Sequence, residues 1–574
     1  MENPERVTYF AATDSRGKHT PFGIKAKDRD RHMYVIGKTG MGKSTLLENM
    51  AIQDIRNGEG LAFIDPHGGT VERLLDYVPE DRVKDVVYFA PFDMEHPIAF
   101  NVMEDVGYDR RHLVVSGLMA TFKKIWEDAW SARMEYILTN TLLALLEYPG
   151  ATLLGANRMY TDNEYRKKVV ENIKDPVVKD FWTSEFATYT DRYTQEATPA
   201  IQNKVGQFTG NPLIRNIIGQ PVSSFDIRTM MDERKILLIN LSKGLLGETN
   251  MNLLGSMLTT RIFLAAMSRA NVPAPELAKL PHFYFYVDEF QNFANKTFAE
   301  ILSESRKYKL NLIITHQYIE QMEEEVRDAV FGNVGTTISF RVGPFDAEVL
   351  ETIFMPKFTK EDIVSLDRRQ VYLSLMIDGV GSQPFSAVTI PPIEAPAVSY
   401  REKVIDSSRS QFTAPRAQVE QAILDELAAG AAARDAAQRA ASSLPPRMPL
   451  RSGGPAARPS VGPALPSQRP YPPRERAMPH QVNKITPAVA PPSSGSKTAG
   501  DLKAILRTIA AGAAAEKEKK QGQRDESLKS TLATVLEKPK TESQQKPSPE
   551  PSQAEKKPFE ISEEKLRKIL KGDA

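Results

Sequence analysis

Residues 34–45 read Tyr-Val-Ile-Gly-Lys-Thr-Gly-Met-Gly-Lys-Ser-Thr, and no other stretch limits the fold so tightly. Gly37, Lys38, Thr39, Gly40, Met41, Gly42, Lys43 and Ser44, with Thr45 behind them, match G-x-x-x-x-G-K-[ST]. The apolar run before them predicts a strand ending at Ile36. The pattern after them predicts a helix starting at Lys43. Three glycines let backbone N–H groups converge on phosphate oxygens, and the helix N-terminus adds its partial positive charge. In such a loop Lys43 reaches the β- and γ-phosphates and the Ser44 hydroxyl ligates Mg²⁺.

Seven further strand-like runs occur, at 60–65, 85–90, 235–241, 282–288, 311–316, 336–342 and 370–377. Most are continuously apolar, as strands of a parallel sheet covered on both faces are. Helical patterns lie between them, for example at 43–57, 249–270, 297–309 and 345–353. The predicted class is a doubly wound α/β domain. From 105 to 228 the strand signals stop. That segment is helical in pattern and holds all three tryptophans, Trp126, Trp130 and Trp182, which read as core anchors. An all-α insertion therefore divides the α/β domain into 1–104 and 229–398.

A triphosphatase needs an acidic residue at the end of a nearby strand. Phe-Tyr-Phe-Tyr-Val-Asp-Glu (283–289) supplies it: Asp288 is placed to hold Mg²⁺, and Glu289 to orient and deprotonate a water. Because the runs at 60–65, 85–90 and 235–241 come between this strand and the phosphate loop, at least one of them is expected between the two in the sheet. That is the RecA-like arrangement of the class with an added strand and a catalytic glutamate. The next strand ends in His316-Gln317, where Gln317 is placed to sense the γ-phosphate and His316 has no assigned role. Arg306 and Lys307 precede that strand, and read either as a solvated basic face or as a finger aimed at a neighbouring subunit's nucleotide. Asp65-Pro66-His67-Gly68-Gly69 reads as a rigid turn or as a carboxylate beside the phosphate loop. No metal-ligand spacing surrounds His67.

Composition changes near residue 400. The last 174 residues hold 20 of the 40 prolines and no tryptophan, and carry +10 against −9 for the rest. Residues 399–574 therefore read as a largely disordered tail with short helices at 418–441, 499–520 and 559–572. These are either transient solvated helices or motifs that dock a protein partner. The acidic body does not suit a globally basic DNA clamp. There is no cysteine, hence no disulfide framework, and no N-terminal signal pattern. The best membrane candidate, 137–155, is interrupted by Asn140, Glu147 and Pro149 and reads as a buried helix followed by a turn. A soluble, cytoplasmic chain is expected.

The loop "IGKTGMGKSTLL", the turn "FIDPHGG", the strand "FYVDEFQNF" and the segments "ESRKYKLNLIITHQ" and "NVGTTISFRVGPFDAEVL", in that order, resemble the HerA/FtsK superfamily of DNA-pumping ATPases. The segments "DAWSARMEYILTNTLLALLE" and "NKVGQFTGNPLIRNIIGQ" are similar to its TraG/TraD-type coupling proteins of type IV secretion and conjugation. The resemblance spans about residues 20–395. It implies a RecA-like P-loop motor with an all-α insertion, working as a homo-hexamer with DNA in its channel. ATP and Mg²⁺ would lie between subunits. It implies Lys43, Ser44, Asp288, Glu289 and Gln317 in the roles given above, Arg306 as a finger acting in trans, and Arg341 as a second candidate. It also leaves open a motor acting on protein in secretion or pilus assembly, and a HerA-like repair translocase. A nucleotide-gated scaffold would need a damaged acidic pair, and Asp288-Glu289 is intact. Two departures stand out. Coupling proteins usually begin with transmembrane helices, whereas 36 residues precede Gly37, too few for an anchor. The turn after the second strand usually ends in Asp where this chain has Gly69.

Overall fold

The structure, a computed structural model, describes residues 3–14, 18–294 and 296–428. Its strands are β1 (Val7–Thr13), β2 (Pro21–Lys25), β3 (Met33–Ile36), β4 (Gly60–Asp65), β5 (Val86–Phe89), β6 (Ile236–Asn240), β7 (Phe283–Val287), β8 (Leu310–His316), β9 (Thr336–Ser339), β10 (Gln370–Ser374), β11 (Met376–Ile377), β12 (Val380–Gly381) and β13 (Phe385–Thr389). Eleven form one sheet in the order β2-β1-β13-β10-β9-β3-β8-β7-β4-β6-β5, and β11 pairs only with β12. From β9 to β5 every pairing is parallel, whereas the β2-β1-β13-β10 wing is antiparallel and joins β9 antiparallel.

All eight expected strands form. One expectation about their order fails: neither β4, β5 nor β6 separates the phosphate-loop strand β3 from the acidic strand β7. The intervening strand is β8, which comes after β7 in sequence. An inserted strand is present, but the right-handed crossover from β7 returns through helix Lys296–Glu304 and slots β8 beside β3.

Strand pleating divides the core between two faces. Met33 and Val35 join Leu46, Leu47 and Met50 of helix Lys43–Arg56 on one side, while Tyr34 and Ile36 face the other. That other side is continuous with the helices between β5 and β6. Phe122, Leu138, Trp182 and Phe208 share one apolar cluster with Val87, Leu254 and Phe263. The inserted segment therefore has no separate core. Trp182 is buried, whereas Trp126 and Trp130 pack half-buried at its margin. Its helices begin where sequence chemistry says they should: the side chains of Ser131, Asp162 and Asp175 cap N-termini, and Pro176, Pro199 and Pro212 stand in first turns.

A buried polar knot ties the phosphate-loop helix to the sheet. Arg29 donates to both Asp54 carboxylate oxygens (2.7 and 2.8 Å), to the Tyr286 hydroxyl (2.8 Å) and to Thr8 Oγ1 (3.2 Å). Its guanidinium lies 3.6 Å over the Tyr284 ring. Arg29 and Asp54 are 3% and 0% exposed.

The composition break near residue 400 does not mark the end of packed structure. Helix Arg401–Phe412 lies against β5 with Val404 buried, and the Tyr88 N–H of that edge strand donates to Ser408 Oγ (2.9 Å). A helix over 416–428 comes next, and its Val419 and Ile423 are buried against Leu154. The front of the expected 418–441 helix thus docks on its own chain. Residues beyond 428, including the helices expected at 499–520 and 559–572, lie outside the described residues. Among the described residues no helix is long and apolar enough to cross a membrane.

Candidate nucleotide site

The phosphate loop leaves β3 at Gly37 and turns through Gly40 (φ 79°) and Gly42 (φ 121°), a left-handed region that favours glycine. Gly37 is needed for space: a Cβ there would sit 2.5 Å from the Phe340 Cβ. The Lys38 N–H donates to the Arg341 carbonyl (2.9 Å), and the Arg369 N–H donates to the Met41 carbonyl (3.2 Å), so loops after β9 and before β10 buttress the turn. Lys43 opens the helix, is buried, and donates to the Gly37 carbonyl (2.7 Å). Burial lowers its pKa, against the charges of Glu289 and Asp288.

Parallel register brings the ends of β7 and β8 beside this loop. Ser44 Oγ donates to Asp288 Oδ2 (3.0 Å). Asp288 is 1% exposed. Burial pushes its carboxyl above the usual range, opposed by a hydrogen bond from Thr315 Oγ1 to Oδ1 (2.5 Å). The same Thr315 hydroxyl accepts the Glu289 N–H (3.0 Å), so one side chain of β8 holds both acids. Glu289 adopts a left-handed backbone (φ 48°), uncommon for a residue with a Cβ and often found where a side chain must be aimed. Its carboxylate accepts Gln317 Nε2 on Oε1 (2.6 Å) and Gln291 Nε2 on Oε2 (2.6 Å), and lies 3.9 Å from Lys43 Nζ. Gln317 in turn accepts the Thr39 hydroxyl (3.2 Å).

The structure therefore brings together Thr39, Lys43, Ser44, Asp288, Glu289 and Gln317. Arg341 flanks the loop at the end of β9, and its guanidinium has no hydrogen-bond or ion-pair partner among the described residues. Arg306 is elsewhere. It precedes β8, pairs with Asp30 (3.2 Å), and is separated from Gln317 by the length of that strand, about 20 Å at ~3.3 Å per residue. Asp65 holds its turn rigid and lies within electrostatic reach of Asp288. Its carboxylate accepts the N–H groups of His67, Thr70 and Val71 (2.7–3.2 Å), and its charge helps raise the Asp288 pKa. His316 is buried, shares a hydrogen bond with Tyr34 (3.2 Å), and is held neutral by burial with its pKa lowered to about 3. Sequence reasoning missed Thr315 and Gln291. Both stand one or two residues from a chosen residue, which is the one signal that points to them.

Ser44 and Asp288 offer two hard oxygens facing each other, a donor set suited to Mg²⁺ with the remaining ligands drawn from phosphate and water. Among the described residues no cluster of three or more His, Asp or Glu side chains could hold a metal alone.

Residues 18–351, well over half of the chain, match the family described as the type IV secretion-system coupling protein DNA-binding domain. Similar solved structures include the bacterial conjugative coupling protein TrwBdeltaN70 (13% identity, covering 68% of this chain and 91% of that one, TM-score 0.48). Another is the plasmid coupling protein TrwB in complex with ADP and Mg²⁺ (16%, 67% and 89%, 0.47). VirB4 of Thermoanaerobacter pseudethanolicus is a third (15%, 69% and 98%, 0.42). No curated protein matches the chain in sequence. On the family match, the chain belongs to the type IV secretion-system coupling proteins.

Proposed function

We propose that the chain is an ATPase whose copies assemble as a ring and drive DNA in type IV secretion or conjugative transfer. The observation that carries the hydrolytic part is the placement of Glu289, which is joined through Gln317 to Thr39 of the phosphate loop and lies beside Lys43. Lys43 and the loop N–H groups bind the β- and γ-phosphates, and Ser44 and Asp288 hold the magnesium ion. Bound Mg²⁺ supplies charge neutralisation at the phosphates. Glu289 takes a proton from the attacking water as its oxygen bonds the γ-phosphorus, and the bond to the β–γ bridging oxygen breaks to release ADP and phosphate. Gln317 moves between Thr39 and the γ-phosphate, reporting whether that phosphate is present.

The ring and the DNA rest on family membership. Arg306 favours a shared site, because at about 20 Å from its own Gln317 any phosphate it meets belongs to a neighbour. Arg341 flanks its own loop, so it suits a role within the subunit. The test is ATP hydrolysis with and without single- and double-stranded DNA, alongside a mass measurement with nucleotide bound. Stimulation severalfold by DNA, its loss in Glu289→Gln and a ring-sized mass are expected. Hydrolysis indifferent to DNA, with no DNA retained at low salt, refutes the DNA motor. Full activity in Glu289→Gln refutes the assignment of the base.

A further inference from the structure

The inserted helices reach the turn beside the hydrolytic site through a lysine. Lys124, in the last turn of helix Arg111–Ile125, reaches the turn after β7. Its ammonium donates to the carbonyls of Gln291 (2.7 Å), Asn292 (3.4 Å) and Ala294 (2.5 Å). That turn is a single 3₁₀ turn, Phe290–Asn292: the Phe290 carbonyl accepts the N–H groups of Phe293 and Ala294, the Gln291 and Asn292 carbonyls accept no backbone N–H among the described residues, and an ammonium has three donors and no acceptor. Charge and geometry match: a cation closes the carbonyl end of a helical turn. The same turn carries Gln291, whose amide nitrogen holds Glu289 Oε2 at 2.6 Å. The amide oxygen of Gln291 is buried with no hydrogen-bond partner among the described residues, so Glu289 and the turn's backbone alone fix the side chain.

We infer that Lys124 is a positioning residue for hydrolysis: it fixes the 290–294 turn, the turn fixes Gln291, and Gln291 orients the Glu289 carboxylate. The helical segment between β5 and β6 thereby sets the geometry of a base that lies on the sheet. This inference rests on the reading of Glu289 as the group that accepts the water's proton. It adds what that reading lacks, a residue of the inserted segment through which a displacement of helix Arg111–Ile125 alters turnover.

The experiment uses the full chain. Turnover, KM and the affinity for a fluorescent ATP analogue are measured for wild type, Lys124→Met, Lys124→Arg, Gln291→Ala, the double variant Lys124→Met/Gln291→Ala, and Glu289→Gln, with melting temperatures in parallel. Lys124→Met and Gln291→Ala are each expected to lower kcat about tenfold, the scale of a modest misalignment, with KM and nucleotide affinity within about twofold of wild type. Because the two act in series, the double variant loses about tenfold and not a hundredfold. Lys124→Arg, which keeps the cation, recovers most of the rate. Losses that multiply in the double variant overturn the relay. So does a Lys124→Met enzyme at or above wild-type turnover, or one that loses nucleotide affinity with kcat intact. If Glu289→Gln is inactive while these results fail, the relay alone falls. If Glu289→Gln turns over normally, the reading of the site falls and takes the relay with it.

Discussion

Replacing Asp54 by Asn tests the knot that anchors the phosphate-loop helix. Asp54 gives both carboxylate oxygens to Arg29 and lies, like Arg29, out of water. Asn has nearly the same shape but only one acceptor, and it turns an NH₂ toward the guanidinium or the Tyr286 hydroxyl. Arg29 is then a buried cation without a counter-charge, and breaking such a pair from one side costs about 3–5 kcal/mol. Unfolding entropies of ~2 cal/mol/K per residue make 1 kcal/mol worth ~1 °C in a body of roughly 400 residues. The expected drop in melting temperature is therefore about 3–5 °C. Thermal unfolding followed by fluorescence at a fixed scan rate measures it, with variants compared side by side because unfolding of a body this large is irreversible in many proteins. The double variant Arg29→Met/Asp54→Leu, which leaves no buried charge, is expected to melt above Asp54→Asn. Hydrolysis well below the melting range stays near wild type, since Asp54 lies about 16 Å along the helix from Lys43. An Asp54→Asn protein melting within 1 °C of wild type, or a double variant less stable than the single one, refutes this account of the ion pair.

Two other outcomes are expected from the same geometry. Thr315→Val removes the hydroxyl that donates to Asp288 and receives the Glu289 N–H. A hydrogen bond to a charged group is worth ~1.5–3 kcal/mol, so the Mg²⁺ concentration for half-maximal hydrolysis is expected to rise at least about tenfold, and an unchanged Mg²⁺ titration rules the role out. His32 is buried as a neutral ring, accepting the Leu312 N–H and donating to the Leu302 carbonyl, and burial lowers its pKa to about 4. Unfolded, it takes a proton near pH 6.5, so its contribution is complete above that pH and about 3 kcal/mol is lost as pH falls to 4. His32→Asn, which removes the titrating ring, should lose stability less steeply over that range; melting curves with equal slopes would contradict it.

What the sequence made legible is the part whose rules are local. The phosphate loop, its helix and the acid pair obey a strand–turn–helix order that needs no partner to be read. Of the eight strands read from apolar runs, β3, β4, β6, β7, β8 and β9 are buried on both faces, whereas β10 buries only Val371 and Leu373. The strands β1, β2 and β13 escaped because Val7–Thr13, Pro21–Lys25 and Phe385–Thr389 are wing strands with mixed polarity, and β1 meets β13 across nearly the whole body of the chain. Strand order escaped for a related reason: β8 lies beside β3 through pairing with a strand far away in the chain, which no strand's local pattern announces. Thr315 reads as one more β-branched residue in Leu310–His316 until β7 lies against β8. Lys124 reads as a solvated helix-end lysine until the turn after β7 folds beneath it.

Helix Arg401–Phe412 seals the last strand of the sheet, with Ser408 Oγ occupying the outward N–H of Tyr88. An open edge strand offers its backbone to any other chain, and natural sheets cover or blunt such edges to prevent aggregation. A truncation placed at the change of composition, after residue 398, would strip this cover and expose β5 along its length. Such a protein is expected to self-associate through β5, and its insolubility would be mistaken for a need of the body for its tail. A cut after residue 428 keeps the seal, together with the Val419 and Ile423 contacts, and is the place to separate the body from the remaining C-terminal residues.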